Sequence, residues 1–135
     1  MNIKYLHIEK KRIKDYVFKH EYLILYKKEQ IGEIIFIKKK RIIVIGYLHI
    51  FHQFRKNGYG DLVVQYLLTH YKIDCIIGET LPTARKFWKK CIEKYNGQRK
   101  NVSYYENCTS SFVIPKYAIS REEIFDLLEY TANEV

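Results

Sequence analysis

The chain has 135 residues, 47% of them hydrophobic, which suits one domain with a proper core. No stretch approaches the ~18 uninterrupted apolar residues of a membrane span, and the charged N-terminus lacks the apolar segment of a signal peptide, so we expect a soluble cytoplasmic protein. Three cysteines without metal-ligand spacing support neither a disulfide framework nor a zinc site. The net charge of +9 favours anionic ligands.

The first part of the chain is predicted to be mainly β-structure. Residues 3–8 predict an edge strand, and the basic segment after it has room for one helix. The β-rich runs 22–26 and 31–37 predict an antiparallel hairpin, and the polar cluster 38–41 is typical of the next turn. Residues 41–51 are almost continuously apolar, which predicts a central strand covered on both faces.

A basic turn with two glycines joins this strand to a helix. Its sequence is Arg55-Lys56-Asn57-Gly58-Tyr59-Gly60, and the apolar spacing that follows is formed by Leu62, Val63, Tyr66, Leu67 and His70, so the helix is expected to begin near Asn57 or Gly58. Such a turn can bring backbone N–H groups and a helix N-terminus against a phosphate; a purely structural turn is the alternative. The order of residues argues against Walker and Rossmann motifs.

The second part alternates strands and helices. Residues 74–79 predict a short buried strand, parallel to the central strand by the crossover rule. Residues 83–95 predict a helix that Pro82 opens and Asn96-Gly97 ends. Residues 102–105 and 111–114 predict a final strand pair. A capping box at Ser120 and an apolar face predict an amphipathic helix over 118–135, packed on the domain or at a dimer contact.

Three motifs along the chain resemble the acetyl-CoA-binding core of GNAT-type N-acetyltransferases. They are Leu48-x-Ile50, Arg55-x-x-Gly58-x-Gly60 and Ala84-x-x-Phe87-Trp88, within a resemblance that covers about residues 20–115. It implies a single α/β domain over 1–117, with a mixed sheet flanked by helices and the 118–135 helix added. It also implies that acetyl-CoA is the cosubstrate and that a primary amine attacks it directly in a ternary complex. A monomer and a homodimer are both compatible with this.

The resemblance also implies where the cosubstrate binds. Its pyrophosphate is expected on backbone amides of the glycine turn, and its pantetheine beside the central strand, where that strand splays from its neighbour. The residues expected to bind it are Leu48, His49, Ile50, Arg55, Lys56, Asn57, Gly58, Tyr59, Gly60, Asp61, Phe87 and Trp88. Phe87 and Trp88 have a simpler alternative, which is packing in the core.

Transfer to an amine requires a proton acceptor, because an alkylammonium with a pKa near ~10.4 is almost fully protonated at neutral pH. Glu79 is a candidate base, since it ends the strand beside the expected splay, where partial desolvation raises the pKa of a carboxylate. Glu33 and His49 are further candidates. The alternatives are solvated carboxylates for Glu79 and Glu33, and a neutral packing histidine for His49.

The chain departs from the family pattern at the residue that acts as general acid in many relatives. Many relatives use a tyrosine to protonate the leaving thiolate, whereas the matching position here is Trp88, which has no comparably acidic proton. Tyr95 and Cys91 are candidate replacements, and Leu81 stands where an asparagine is common. A second function therefore stays open, a catalytically weakened GNAT-fold module that binds protein or nucleic acid. Nucleic acid is not favoured, because no recognition helix accompanies the basic clusters.

Overall fold

Seven strands form one sheet, in the order β1-β2-β3-β4-β5-β7-β6, in a computed structural model that describes residues 1–80, 84–104 and 107–116. The elements are β1 (Leu6–Ile13), β2 (Tyr16–Tyr26), β3 (Glu29–Lys39), β4 (Ile42–Ile50), α1 (Tyr59–His70), β5 (Cys75–Thr80), α2 (Arg85–Lys94), β6 (Gln98–Tyr104) and β7 (Asn107–Pro115). The predicted α/β class, a mixed sheet flanked by helices, is confirmed. The chain divides into two compact units, Met1–Ile37 with Ile45–Lys72, and Lys38–Val44 with the described residues from Ile73.

The first unit is built on an antiparallel meander of β1, β2 and β3. The predicted hairpin is confirmed, since Tyr22 pairs with Ile34 and the turn consists of Lys27 and Lys28, both with positive φ. A two-residue turn with positive φ at both positions matches the twist of the flanking strands. The basic segment, for which the sequence allowed a helix, is not helical; it continues β1. Pairing with β2 decides its conformation, as tertiary context overrides weak local propensity.

The predicted central strand is confirmed as β4, between β3 and β5 in the sheet order. The prediction that both faces of this strand are covered was wrong over part of its length. Burial alternates from Ile42 to Ile45, but Gly46 and Tyr47 are both exposed. Successive residues of a strand point to opposite faces of the sheet, so two exposed neighbours show that both faces are uncovered at this point. The last three residues of the strand, Leu48, His49 and Ile50, are half-buried.

Helix α1 begins at Tyr59, with Gly58 as its N-cap residue, as the sequence predicted to within one or two positions. Its buried face includes every predicted apolar residue except His70, which is exposed and stacks on the ring of Tyr66. The helix packs against β1, and the unit's core holds the fully buried Ile24, Ile34, Phe36, Val63 and Leu67. Among the described residues no helix has the length and apolarity to cross a membrane.

The second unit contains β5, α2 and the antiparallel strands β6 and β7. The buried strand and the helix are confirmed, although residues 81–83, with Pro82, lie outside the described residues. The left-handed residue after α2 is Asn96, and the N–H of Gly97 donates to the carbonyl of Ile92 at 2.8 Å. The final strand pair is confirmed and is longer than predicted. The predicted 118–135 helix, and its boundary at residue 117, also lie outside the described residues.

Candidate active site

The connection between β4 and α1 is fastened to the sheet at its start. The N–H of Phe51 donates to the carbonyl of Ile31 at 2.9 Å, and a 3-10 turn, His52–Phe54, follows. Nε of Arg55 then donates to the carbonyl of Ile50 at 2.9 Å, which ties the loop back to the last residue of β4. These bonds hold the exposed residues 55–58 in one place at the end of a central strand.

Two residues of this turn adopt left-handed conformations. Lys56 has φ 64° and Gly58 has φ 82°. A left-handed conformation is free of strain for glycine but costs a lysine about 1 kcal/mol or more. Turns of this type direct backbone N–H groups into a concave, anion-binding surface, and strain of this kind concentrates at functional sites.

The N-terminus of α1 offers unpaired donors to a ligand. Leu62 makes the first helical hydrogen bond, to the carbonyl of Gly58 at 3.1 Å, so the N–H groups of Tyr59 and Gly60 precede the helical ladder. Within the part of the chain that the structure describes, no side chain caps these groups. The carboxylate of Asp61 accepts from Nε2 of Gln65 at 2.9 Å, along the helix. Uncapped N–H groups and the helix dipole together fit a diphosphate.

The structure brings two of the three candidate bases together. Nδ1 of His49 lies 3.9 Å from Oε1 of Glu33, and their side chains are 32% and 39% exposed. His49 also lies between two aromatic rings, with centroid distances of 5.8 Å to Tyr47 on the same strand and 5.6 Å to Phe51 directly after it. The sequence suggested Glu33 and His49 separately. Their proximity follows from the pairing of β3 with β4, which the strand pattern alone does not set in register.

Gly32 is a site residue that the sequence argument missed. A Cβ atom at this position would lie 2.2 Å from the carbonyl oxygen of His49, so β3 approaches the backbone of β4 where no side chain fits. An isolated glycine inside a β-rich run is the signal that would have found it, since it often marks a close backbone approach. This contact places the His49 segment against β3.

The sequence also gave no sign of a groove on the sheet beside this segment. We call it the β2–β4 groove; its lining residues are Lys11, Glu21, Tyr22, Glu33, Ile34, Ile35 and Tyr47. Glu33, which bounds the groove, is the same residue that lies beside His49.

The remaining predicted residues lie in the second unit. Glu79 is exposed near the end of β5. Trp88 is 4% exposed and stacks on Phe112 at a centroid distance of 4.4 Å, while Phe87 meets the edge of Trp88. Trp88 therefore packs in the core, which is the simpler of the two roles that the sequence suggested for it.

The two candidate replacements for the acid lie at the end of α2. Cys91 is buried, and the ring of Tyr95 is 5.3 Å from the ammonium of Lys94. Within the described residues, neither Cys75 nor Cys91 forms a disulfide bond. Burial, with a smaller contribution from the Asp74 carboxylate, raises the pKa of Cys75 to about 12, so this thiol stays protonated and inert. No group of metal-ligating side chains occurs among the described residues.

The sheet order and the turn at the N-terminus of α1 define the class of architecture: this is the fold of the GNAT acetyltransferases. A GNAT-family protein from Bacteroides thetaiotaomicron matches with a TM-score of 0.62 at 15% identity, over 94% of this chain and 82% of its own. The ribosomal-protein-S18-alanine N-acetyltransferase of Escherichia coli matches with a TM-score of 0.63 at 7% identity, over 86% of this chain and 97% of its own.

A third similar structure carries a ligand. It is Arabidopsis thaliana Naa50 in complex with the bisubstrate analogue CoA-Ac-MVNAL, with a TM-score of 0.54 at 14% identity, over 81% of this chain and 97% of its own. No protein-family model matches the sequence, and a search of curated proteins gave no significant match. At these identities the likeness establishes the fold.

Proposed function

We propose that the chain is an acyl-CoA-dependent N-acetyltransferase that binds acetyl-CoA at the β4–α1 turn and transfers the acetyl group to a primary amine. The observation that carries the proposal is the N-terminus of α1, which has no side-chain cap and follows the left-handed Gly58 at the end of the connection from a central strand. The fold adds support, because solved structures that share it include N-acetyltransferases.

The turn supplies the donors that a diphosphate needs. In the proposal, the backbone N–H groups from Lys56 to Asp61 bind the pyrophosphate oxygens, and each charge-assisted hydrogen bond contributes about 1.5–3 kcal/mol. Nε of Arg55 donates a hydrogen bond to the carbonyl of Ile50, which fixes the conformation of the loop. The positive charge of the guanidinium attracts the phosphates. Glycine at position 58 keeps the turn free of strain and of a side chain.

The chemistry takes place beside β4. The proposal aligns the thioester with Leu48, whose backbone N–H polarises the carbonyl, as the resemblance implies. The amine nitrogen gives up a proton and forms a bond to the carbonyl carbon, the C–S bond breaks, and the thiolate takes up a proton. A thiol with a pKa of about 8.5 is a good leaving group, so solvent can protonate it without a tyrosine.

Three residues are proposed as proton acceptors. Glu79 is the acceptor that the sequence favoured, and Glu33 and His49 form an alternative pair because they lie 3.9 Å apart. The carboxylate and the imidazole therefore offer an incoming amine two neighbouring groups that can accept a proton. Variants of each residue distinguish these routes through the pH profile of the rate.

The alternative is a module that binds CoA or a macromolecule without turnover, and one observation favours it. Trp88 is packed against Phe112, in the position where many relatives carry a catalytic tyrosine. Calorimetry with acetyl-CoA, followed by an assay of thiol release with a panel of amines, separates the two. Binding with amine-dependent thiol release supports the enzyme, and binding without release supports the module. Absence of binding to folded protein contradicts both.

A further inference from the structure

The β2–β4 groove presents two carboxylates on one face of the sheet. Glu21 pairs with Ile35 across the strands, and Leu23 pairs with Glu33. Cross-strand partners share a face, as do residues two apart on one strand, so Glu21 and Glu33 face the same side. They are diagonal neighbours, whose backbones lie about 7–8 Å apart.

Among the residues that the structure describes, neither carboxylate lies within ion-pair distance of a lysine or an arginine, although the chain carries 24 of these residues. The ion-pair partner of Glu33 is His49, and in the described ranges Glu21 has no partner within ion-pair distance. Lys11 also lines the groove, but its ammonium lies 5.1 Å from the ring centroid of Phe18. The groove is therefore a local acidic site in a basic protein, which suits a cationic ligand and not a phosphate.

The groove also reaches the strand segment that we assign to the thioester. Tyr47, one of its lining residues, precedes Leu48 on β4. Glu33 lies both in the groove and beside His49. A ligand in the groove with an amine at Glu33 would thus place that nitrogen next to the segment where acyl transfer is proposed.

We propose that this groove binds the acceptor, and that the acceptor is a small aliphatic amine with a second positive charge. The reacting nitrogen lies at Glu33, the second ammonium lies at Glu21, and the methylene chain covers Ile35 and the ring of Tyr47. The backbones of the two glutamates lie about 7–8 Å apart, a span within reach of a linear diamine of about four carbons. The ammonium at Glu33 first gives one proton to the proton acceptor and becomes a neutral amine, which bonds to the acetyl carbon as the C–S bond breaks. The nitrogen then loses a second proton, and the thiolate takes up one proton. This acceptor class depends on the proposed transferase function, whereas binding of the diamine in the groove does not.

The test compares putrescine with butylamine, which has the same chain length and one amine. With saturating acetyl-CoA we expect kcat/KM to be up to about fivefold higher for putrescine, the contribution of one partly exposed ion pair. Glu21→Gln should remove most of this preference through KM for putrescine and change butylamine much less. The matched control is Glu29→Gln, which removes one exposed carboxylate at the first residue of β3, outside the groove lining, and should leave the preference intact. Equal rates for the two amines, or a preference that survives Glu21→Gln, overturn the proposal.

Titration of the protein with putrescine alone, followed by NMR or calorimetry, separates this inference from the proposed function. Binding that Glu21→Gln weakens and Glu29→Gln does not supports the groove even if no acetyl transfer occurs. An acetyltransferase that is active on peptide amines but does not bind putrescine keeps the proposed function and refutes the groove assignment. Insensitivity of putrescine binding to Glu21→Gln also refutes it.

Discussion

Replacing Gly60 by aspartate should change stability and cofactor binding in opposite directions. Gly60 is the second residue of α1, and its φ is not positive, so any side chain fits its backbone conformation. Aspartate there replaces the conformational freedom of glycine and adds a negative charge to the positive end of the helix dipole. Together these effects stabilise the fold by up to about 1 kcal/mol.

The same carboxylate would repel a bound diphosphate. Two like charges 4 Å apart repel by about 1 kcal/mol in bulk water and about 4 kcal/mol near a protein surface. The Kd for acetyl-CoA should therefore rise at least about fivefold, since about 1.4 kcal/mol corresponds to tenfold.

The assay is calorimetry with acetyl-CoA, accompanied by thermal unfolding of each variant. Gly60→Asn is the matched control, because it has nearly the shape of aspartate without its charge. We expect the melting temperature of Gly60→Asp to equal or exceed that of the wild type while its affinity falls below that of Gly60→Asn. Equal affinities of the two variants would show that no phosphate lies at the N-terminus of α1.

Three further predictions concern substitutions of single residues. Gly32→Ala should lower the free energy of unfolding in urea by about 1–3 kcal/mol, because its Cβ would overlap the carbonyl of His49; an unchanged midpoint would contradict the close approach. Arg41→Gln should cost up to about 1 kcal/mol, as it removes the 2.8 Å ion pair with the half-exposed Asp74. The Arg41 hydrogen bond and charge lower the pKa of Asp74, so this stability is present above the ordinary pKa and is lost as the pH falls through the folded value; a difference from wild type that persists in strong acid would refute this. Glu79→Gln should remove the acidic limb of the pH–rate profile if Glu79 is the base, and an unchanged profile would exclude it.

Local sequence determined most of the secondary structure. The β-rich runs, the turn residues and the helical spacing of Leu62, Val63, Tyr66 and Leu67 predicted the strands and both described helices, because these signals act over a few residues. The glycine turn also predicted where a phosphate would bind, since the left-handed conformation at Gly58 is a local requirement.

Local signals failed where a partner strand decided the outcome. The basic segment, for which the sequence allowed a helix, is part of β1, because pairing with β2 satisfies its backbone in an extended conformation. His70 continued the apolar spacing of α1 but lies at the exposed end of the helix. Whether such a residue is buried depends on what the last turn packs against.

The chain by itself determined the order of its elements and predicted an anion site at the start of α1, since both depend on short-range patterns of glycine, charge and apolar residues. Only the tertiary structure decided that Glu33 lies beside His49 and that Glu21 shares a groove with it. These neighbours come from different strands. A shift of one residue in strand register would turn their side chains to opposite faces, and such a register is set by contacts across the whole sheet.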